Sequence, residues 1–220
     1  MKILAFNTTN SQLGVALIEN EKLLAEVEIG QNSNQAELLI VEIENILRSQ
    51  NIWYQNIDAV ATIKGPGSFT GVRIGLTAAK IIKLATNLPL FTFDSLAVLA
   101  HDHSHFQGKI IAIIDAKMDE FFVAEFISQA GEIKVLQESH LIKLEDLSQL
   151  KIDDESLIIG SGKDFLREIF AKKNLIISTK DDEISAKNIA FMALDALQTG
   201  ASQDESHPLY LRQPKITQRK

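Results

Sequence analysis

The chain has 220 residues, of which 45% are hydrophobic, and its 22 Lys and Arg against 29 Asp and Glu leave a formal charge of -7 with no cysteine at all. That composition excludes disulfides, thiolate metal centres and cysteine nucleophiles, and it speaks against direct nucleic-acid binding, whose affinity comes largely from cations set against phosphates. No apolar run approaches the roughly 20 residues needed to span a bilayer, and Met1–Asn7 has neither the apolar length nor the cleavage site of a signal peptide, so the expected compartment is the cytoplasm and no membrane partner is expected.

Residues 2–7, 13–19 and 22–29 read as three strands, because Leu13, Val15, Leu17 and then Leu23, Ala25, Val27, Ile29 follow the period of two. Asn20-Glu21 fits a tight hairpin turn. Asn7-Thr8-Thr9-Asn10-Ser11 is a polar loop, suited to bonding its own backbone or to lining a phosphate site. Gln35 to Ser49 reads as a helix with the stripe Ala36, Leu39, Ile40, Ile43, Leu47. Leu38, Val41 and Ile46 lie off that stripe, so the apolar surface is wider than one face.

A strand at Asp58–Ile63 runs into Gly65-Pro66-Gly67-Ser68-Phe69-Thr70-Gly71-Val72-Arg73-Ile74-Gly75, with a helix from Val72 to Ala85 behind it. This is a strand-to-helix turn: glycine permits positive φ and close backbone approach, and Ser68 and Thr70 are placed to cap the helix, whose N-terminus favours an anion. The spacing matches neither a Walker A loop, nor the dinucleotide Gly-x-Gly-x-x-Gly, nor a nucleophile elbow. A tight packing turn and a phosphate cradle both remain open. In the helix, Ile74, Ala78, Ile81 and Ala85 make one face, widened by Val72, Leu76, Ala79 and Leu84. Such a helix is buried on several sides or has a partner. Leu88–Phe93 is a strand, and Ser95 is placed to cap a helix through Ala100. The order β-β-β-α-β-α-β-α predicts a mixed sheet covered by helices.

His101, His103 and His105 fit a solvated linker better than a metal site, since alternate residues need not converge. From Lys109 the pattern starts again: strands at Lys109–Asp115, Glu120–Ile127 and Ile133–Gln137, a short helix near Leu144–Leu150, a strand at Leu157–Ile159, Gly160-Ser161-Gly162, a helix at Lys163–Ala171, a strand at Asn174–Ser178 and a helix at Ser185–Thr199. An internal duplication is the economical reading, with the boundary near Asp102–Gln107. The expected organisation is therefore an N-terminal lobe over 1–102, a C-terminal lobe over 107–205 and a tail over 206–220. Asp94, Asp115, Asp119 and Glu120 are carboxylates at strand ends, either turn formers or magnesium ligands and general bases. Arg212, Lys215, Arg219 and Lys220 give the tail a small basic end.

As a string, the eleven residues from Gly65 to Gly75 resemble the signature of the TsaB (YeaZ) family, small actin-like subunits of the bacterial machinery that places threonylcarbamoyl on adenosine in transfer RNA. Ile3-Leu4-Ala5-Phe6-Asn7-Thr8, Ile113–Glu120 and Pro208-Leu209-Tyr210-Leu211-Arg212 resemble further segments of that family, so the likeness runs essentially end to end. It implies an α/β fold of two actin-like (ribonuclease-H-like) lobes with mixed sheets, and a subunit with no catalysis, cofactor or metal of its own. It also implies pairing with a catalytic TsaD-type subunit through the two first-lobe helices, a TsaE-type ATPase in the assembly, a homodimer when alone, and contact with tRNA only through the complex. On that resemblance the pairing residues are Leu38, Glu42, Ile46, Val72, Leu76, Ala79 and Lys83, and the signature loop is Gly65, Pro66, Gly67, Ser68, Thr70, Gly71 and Arg73.

Two departures sharpen the expectation. The large subunit of the family takes its metal from a His-x-x-x-His pair, whereas Asn32 to Leu38 contains no histidine, which also weakens a metallopeptidase reading. Asn7 stands where actin-like phosphotransferases have Asp, and neutral Asn is the poorer magnesium ligand. The alternative from another class is an ATP-dependent phosphotransferase using Ser68 and Thr70 at the phosphates and Asp115 for magnesium.

Overall fold

A computed structural model describes residues 1–9, 12–30, 34–180, 183–201 and 207–212. Asn10, Ser11, Asn32, Ser33, and Gln213 onward with the tail cations Lys215, Arg219 and Lys220, all singled out in the sequence, lie outside the described residues. The first sheet contains β1 (Lys2–Asn7), β2 (Leu13–Glu19), β3 (Lys22–Ile29), β4 (Ala59–Gly65) and β5 (Leu90–Asp94), in the order β3-β2-β1-β4-β5. The first three strands form an antiparallel meander, and β4 and β5 join β1 in parallel. The second sheet contains β6 (Gly108–Asp115), β7 (Glu120–Gln129), β8 (Glu132–Lys143), β9 (Leu157–Ile159) and β10 (Ile176–Ile177), in the order β10-β9-β6-β7-β8. It repeats the first strand for strand, as an internal duplication requires.

The period of two in each central strand divides its side chains between two cores. Ile3 and Ala5 of β1 face the space between the sheets, while Leu4 and Phe6 face the outer helices. In β6, Ile110 and Ala112 point inward and Ile111 and Ile113 point outward. The outer face of the first sheet carries α1 (Gln35–Ser49) and α2 (Phe69–Thr86), and that of the second carries α4 (Lys163–Ile169) with a 3-10 turn at Leu144–Gln149.

Between the sheets lie α3 (Ser95–His101) and α5 (Ala186–Gln198), and their assignments cross. Helix α3, which follows the first sheet in the chain, packs on β6, β7 and β8. Helix α5, which follows the second, packs on β1, β2 and β4. Small residues allow that approach: Ala5, Ala59 and Ala61 share one buried cluster with Ala190 and Ala193 of α5, and a methyl group on Gly14 of β2 would stand 3.3 Å from the Ala186 Cβ.

The structure corrects several expected boundaries. Helix α2 begins at Phe69, before Val72, because Ser68 and not a later residue is its cap. The cap of α3 is Asp94, whose carboxylate accepts from the Leu96 and Ala97 amides at 2.7 and 3.3 Å; Ser95 is already inside the helix. Strand β8 runs on to Lys143, well beyond Gln137, held by the β7 ladder past two register shifts.

Burial pushes the Asp94 carboxyl above its ordinary value of 3.8, against hydrogen bonds from Ser139 of β8 and from the two capping amides. The folded state therefore binds the proton more tightly than the unfolded chain, so Asp94 withdraws stability as pH rises from about 3.8 through the raised value. Asp94→Asn keeps the cap without the ionisation. Its melting temperature relative to the parent is expected to climb between pH 3.8 and neutrality, and thermal melts across that range check this.

Candidate functional site

Because β1, β4 and β5 are parallel, their C-terminal ends bring Asn7–Thr9, Gly65 and Asp94 to one rim of the first sheet. The ends of β6 and β9 bring Asp115 and Gly160 to the corresponding rim of the second. Open α/β sheets hold ligands at such rims.

At the first rim the glycines make a stripe. Gly67, Gly71 and Gly75 recur every fourth residue, Gly67 just before α2 and the other two one turn apart within it, and Thr8 and Thr9 lie along them. A methyl group on Gly71 would overlap the Thr8 carbonyl oxygen, one on Gly67 would stand 2.9 Å from the Thr9 carbonyl oxygen, and one on Gly75 2.8 Å from Thr8 Oγ1. Hydrogen bonds seal the contact. The Ser68 amide donates to the Thr9 carbonyl at 2.9 Å, and the Thr8 hydroxyl donates to the Gly71 carbonyl at 2.7 Å. Ser68 Oγ accepts from the Gly71 amide at 3.2 Å, closing the helix cap. The glycines thus serve close packing of two backbone segments, with Thr70 exposed in the first helical turn.

The other side of the turn is covered by the segment Pro208–Arg212. The Leu209 amide donates to the Lys64 carbonyl at 2.7 Å, and Gly65, at φ 115°, leaves no room for a side chain beneath the Leu209 carbonyl. Arg73 Nε donates to the Tyr210 hydroxyl at 2.8 Å, its guanidinium lies 3.8 Å over the Phe69 ring, and the rings of Phe69 and Tyr210 are 5.0 Å apart. Leu211 packs against the core between the sheets. Arg212 then donates to the Lys117 carbonyl at 2.9 Å and pairs with Glu120 at the second rim. Three of the four stretches that carry the family resemblance, Gly65–Gly75, Ile113–Glu120 and Pro208–Arg212, therefore meet at one seam.

The rim polar groups are engaged within the chain. Asn7 Oδ1 accepts from the Thr9 amide at 2.9 Å and from its hydroxyl at 2.7 Å, while Asn7 Nδ2 donates to the Ile184 carbonyl at 2.9 Å. Asp115 Oδ1 accepts from the Lys117 amide and Oδ2 from the Lys117 ammonium, both at 2.7 Å, and the Asp115 amide donates to Ser161 Oγ at 3.1 Å. Partial burial raises the Asp115 carboxyl, but the Lys117 hydrogen bonds and charge outweigh it and hold the group below its ordinary value. The Lys117 ammonium thus sits on the carboxylate that the sequence offered as a magnesium ligand. Among the described residues, no three His, Asp or Glu side chains stand close enough together to hold a metal. His101 ends α3 and His103 is buried, with its ring centre 6.1 Å from that of His105.

The residues expected to pair with a partner divide sharply. Ile46, Val72, Leu76 and Ala79 are buried in the chain's own fold, Leu76 to 2% exposure, and Ile46 and Ala79 belong to the core beneath α1 and α2. These side chains serve the chain's own core, and the broad apolar surface of both helices is broad mainly because each packs on the sheet and on its neighbour. Leu38, Glu42 and Lys83 are half-buried at the margin. What the helix layer does expose is Ile40 and Val41 of α1 with Ile81 and Leu84 of α2, Leu84 at 88%. Ile81 and Leu84 are three residues apart on one helix side, a signal present in the sequence but submerged in an apolar pattern that marked nearly every turn.

Two five-stranded mixed sheets of duplicated topology, with crossed helices between them, define the actin-like class. A ROK hexokinase from Thermus thermophilus shares this fold with a TM-score of 0.52 at 12% identity, covering 91% of this chain and all of its own. A Pseudomonas aeruginosa protein described as similar to peptidase YeaZ superposes far better, with a TM-score of 0.83 at 24% identity over 96% of this chain and 99% of that one. Residues 22–218 match the family model described as "TsaD: tRNA N6-adenosine threonylcarbamoyltransferase", and the chain belongs to that family. Within it the chain aligns with TsaB proteins. It is 28% identical to the "tRNA threonylcarbamoyladenosine biosynthesis protein TsaB" of Bacillus subtilis, over 87% of this chain and 86% of the relative. To the protein of that name from Escherichia coli it is 26% identical, over 96% and 95%.

Gly71→Ala should destabilise the fold by about 3 kcal/mol, since its methyl group has no space that backbone can yield. Gly30→Ala, which meets nothing within 4 Å, should shift stability by no more than about 0.5 kcal/mol. Urea denaturation of both variants checks the contrast.

Proposed function

We propose that this chain is the non-catalytic scaffold subunit of a cytoplasmic assembly that forms threonylcarbamoyladenosine next to the anticodon of tRNA, and that it pairs with a catalytic TsaD-type subunit. The TsaB relatives are named for that pathway, and the matched family is described by that transferase activity. The observation that carries the scaffold reading is the exposed apolar surface of α1 and α2, with Ile81 and Leu84 standing out from a helix whose other side is core. Apolar side chains on a helix pair are what a helical interface buries. Glu42 and Lys83 would form its polar rim. The engagement of Asn7, Thr8 and Asp115 within the chain favours a subunit without its own phosphate chemistry.

In this reading a TsaE-type ATPase completes the assembly, the same helix face joins two copies when the catalytic subunit is absent, and tRNA is held by the partner, in keeping with the net charge of -7. The lobes comprise residues 1–102 and 107–205.

Leu84→Glu and Ile81→Glu place an uncompensated charge in that interface. Each is expected to weaken co-elution with the catalytic subunit by about tenfold or more while leaving the melting temperature unchanged. Co-elution equal to that of the parent would exclude the α1–α2 face. The pathway itself is read from cells depleted of this chain: digested tRNA should lose threonylcarbamoyladenosine by mass spectrometry and regain it with the parent chain but not with Leu84→Glu. A normal level in depleted cells would refute the assignment.

A further inference from the structure

The segment Pro208–Arg212 passes from the rim of one half to the rim of the other within five residues. Leu209 and Tyr210 are bonded to Lys64 and Arg73 of the first half, Leu211 enters the core between the sheets, and Arg212 is bonded to Lys117 and Glu120 of the second half. We propose that this segment is a latch across the seam, holding the two rims against each other, and that it opens as a unit.

Three observations converge on that role. The first anchor is built into the backbone: Gly65 at φ 115° leaves no space for any side chain where the Leu209 carbonyl sits, so the turn is shaped to receive the segment. The second is a layered contact, with the Arg73 guanidinium on the Phe69 ring and the Tyr210 hydroxyl on Arg73, which fixes Tyr210 at the start of α2. The third lies on strained backbone. Lys117, Met118 and Asp119 are consecutive residues at φ 63°, 59° and 57°, a conformation that non-glycine residues hold only where surroundings enforce it. Arg212 donates to the carbonyl at the head of that run and pairs with the carboxylate just beyond its end, Glu120. The latch thus clamps the strained loop of one half to the glycine turn of the other. Releasing either anchor frees both, because the segment between them is too short to slacken independently.

This inference does not depend on the pathway or on the partner face. Hydrogen exchange of the full chain, followed by mass spectrometry of peptides, tests it. Arg212→Ala removes the side-chain anchor on the second half, and Arg73→Ala removes the side-chain anchor on the first. Each is expected to speed exchange about tenfold both at amides between Lys64 and Ser68 and at amides between Lys117 and Glu120, while α1 and β1 keep the parent rate. Faster exchange only at the end that was altered would show two local contacts and no latch. Equal acceleration throughout the chain would show general destabilisation, and no change at either end would show that the segment bears no load; either result overturns the proposal.

Discussion

Close approach of backbone to backbone is the constraint on which this architecture rests. Helix α5 reaches the first sheet only because Ala5, Ala59 and Ala61 present no bulk on the inner face, and because Gly14 presents none beside Ala186. Through that contact a helix that belongs by sequence to the second half completes the core of the first, and α3 returns the exchange on β6, β7 and β8. Neither sheet buries its inner face by itself, so the crossed helices make one shared core out of two repeats. Larger residues at the alanine positions would separate α5 from the sheet and leave the inner faces of both halves to water.

The same economy governs the rim. Thr8 and Thr9 lie on the glycine stripe of α2, Asn7 is tied to the segment before α5, and Leu209 covers Gly65. Every one of these contacts turns a group that could face a ligand toward the chain itself. Meanwhile the outer helices leave Ile40, Val41, Ile81 and Leu84 uncovered. The molecule thus uses the polar groups of its rim for internal cohesion, while its outer helices leave apolar side chains uncovered.

Periodicity made most of the fold legible, and its limits have definite causes. The period of two read in β2 and β3 marked both as strands, β1 and β6 are near-continuous apolar runs because both of their faces are buried, and the duplicated order appears because both halves use it. The cap of α3 was misplaced by one residue because Asp94 and Ser95 both satisfy the capping rule and only the geometry separates them. The exposed face of α2 was hidden for a different reason: Val72, Leu76, Ala79, Ile81 and Leu84 are all apolar, and hydropathy does not distinguish a helix side that packs on a sheet from one that awaits a partner. The seam at Pro208–Arg212 carried no periodicity at all. Its role comes from contacts some 90 to 140 positions away in the chain, which no local pattern encodes.

Asn7 shows how far the rim is committed to structure. Asn7 is 1% exposed at the end of β1, where phosphotransferases of the class place a carboxylate. Its amide oxygen accepts from Thr9 twice over and its amide nitrogen donates to the Ile184 carbonyl. An aspartate could reproduce the first pair of bonds and not the second. Ionised, it would set a negative charge against the carbonyl oxygen of Ile184 in a site closed to water, where an unpaired charge is expensive. Asparagine supplies an acceptor on one side and a donor on the other, and so links the first strand to the segment that leads into α5. What looks in the sequence like the loss of a metal ligand is, in the fold, a bond between the first strand and the helix that joins the two halves.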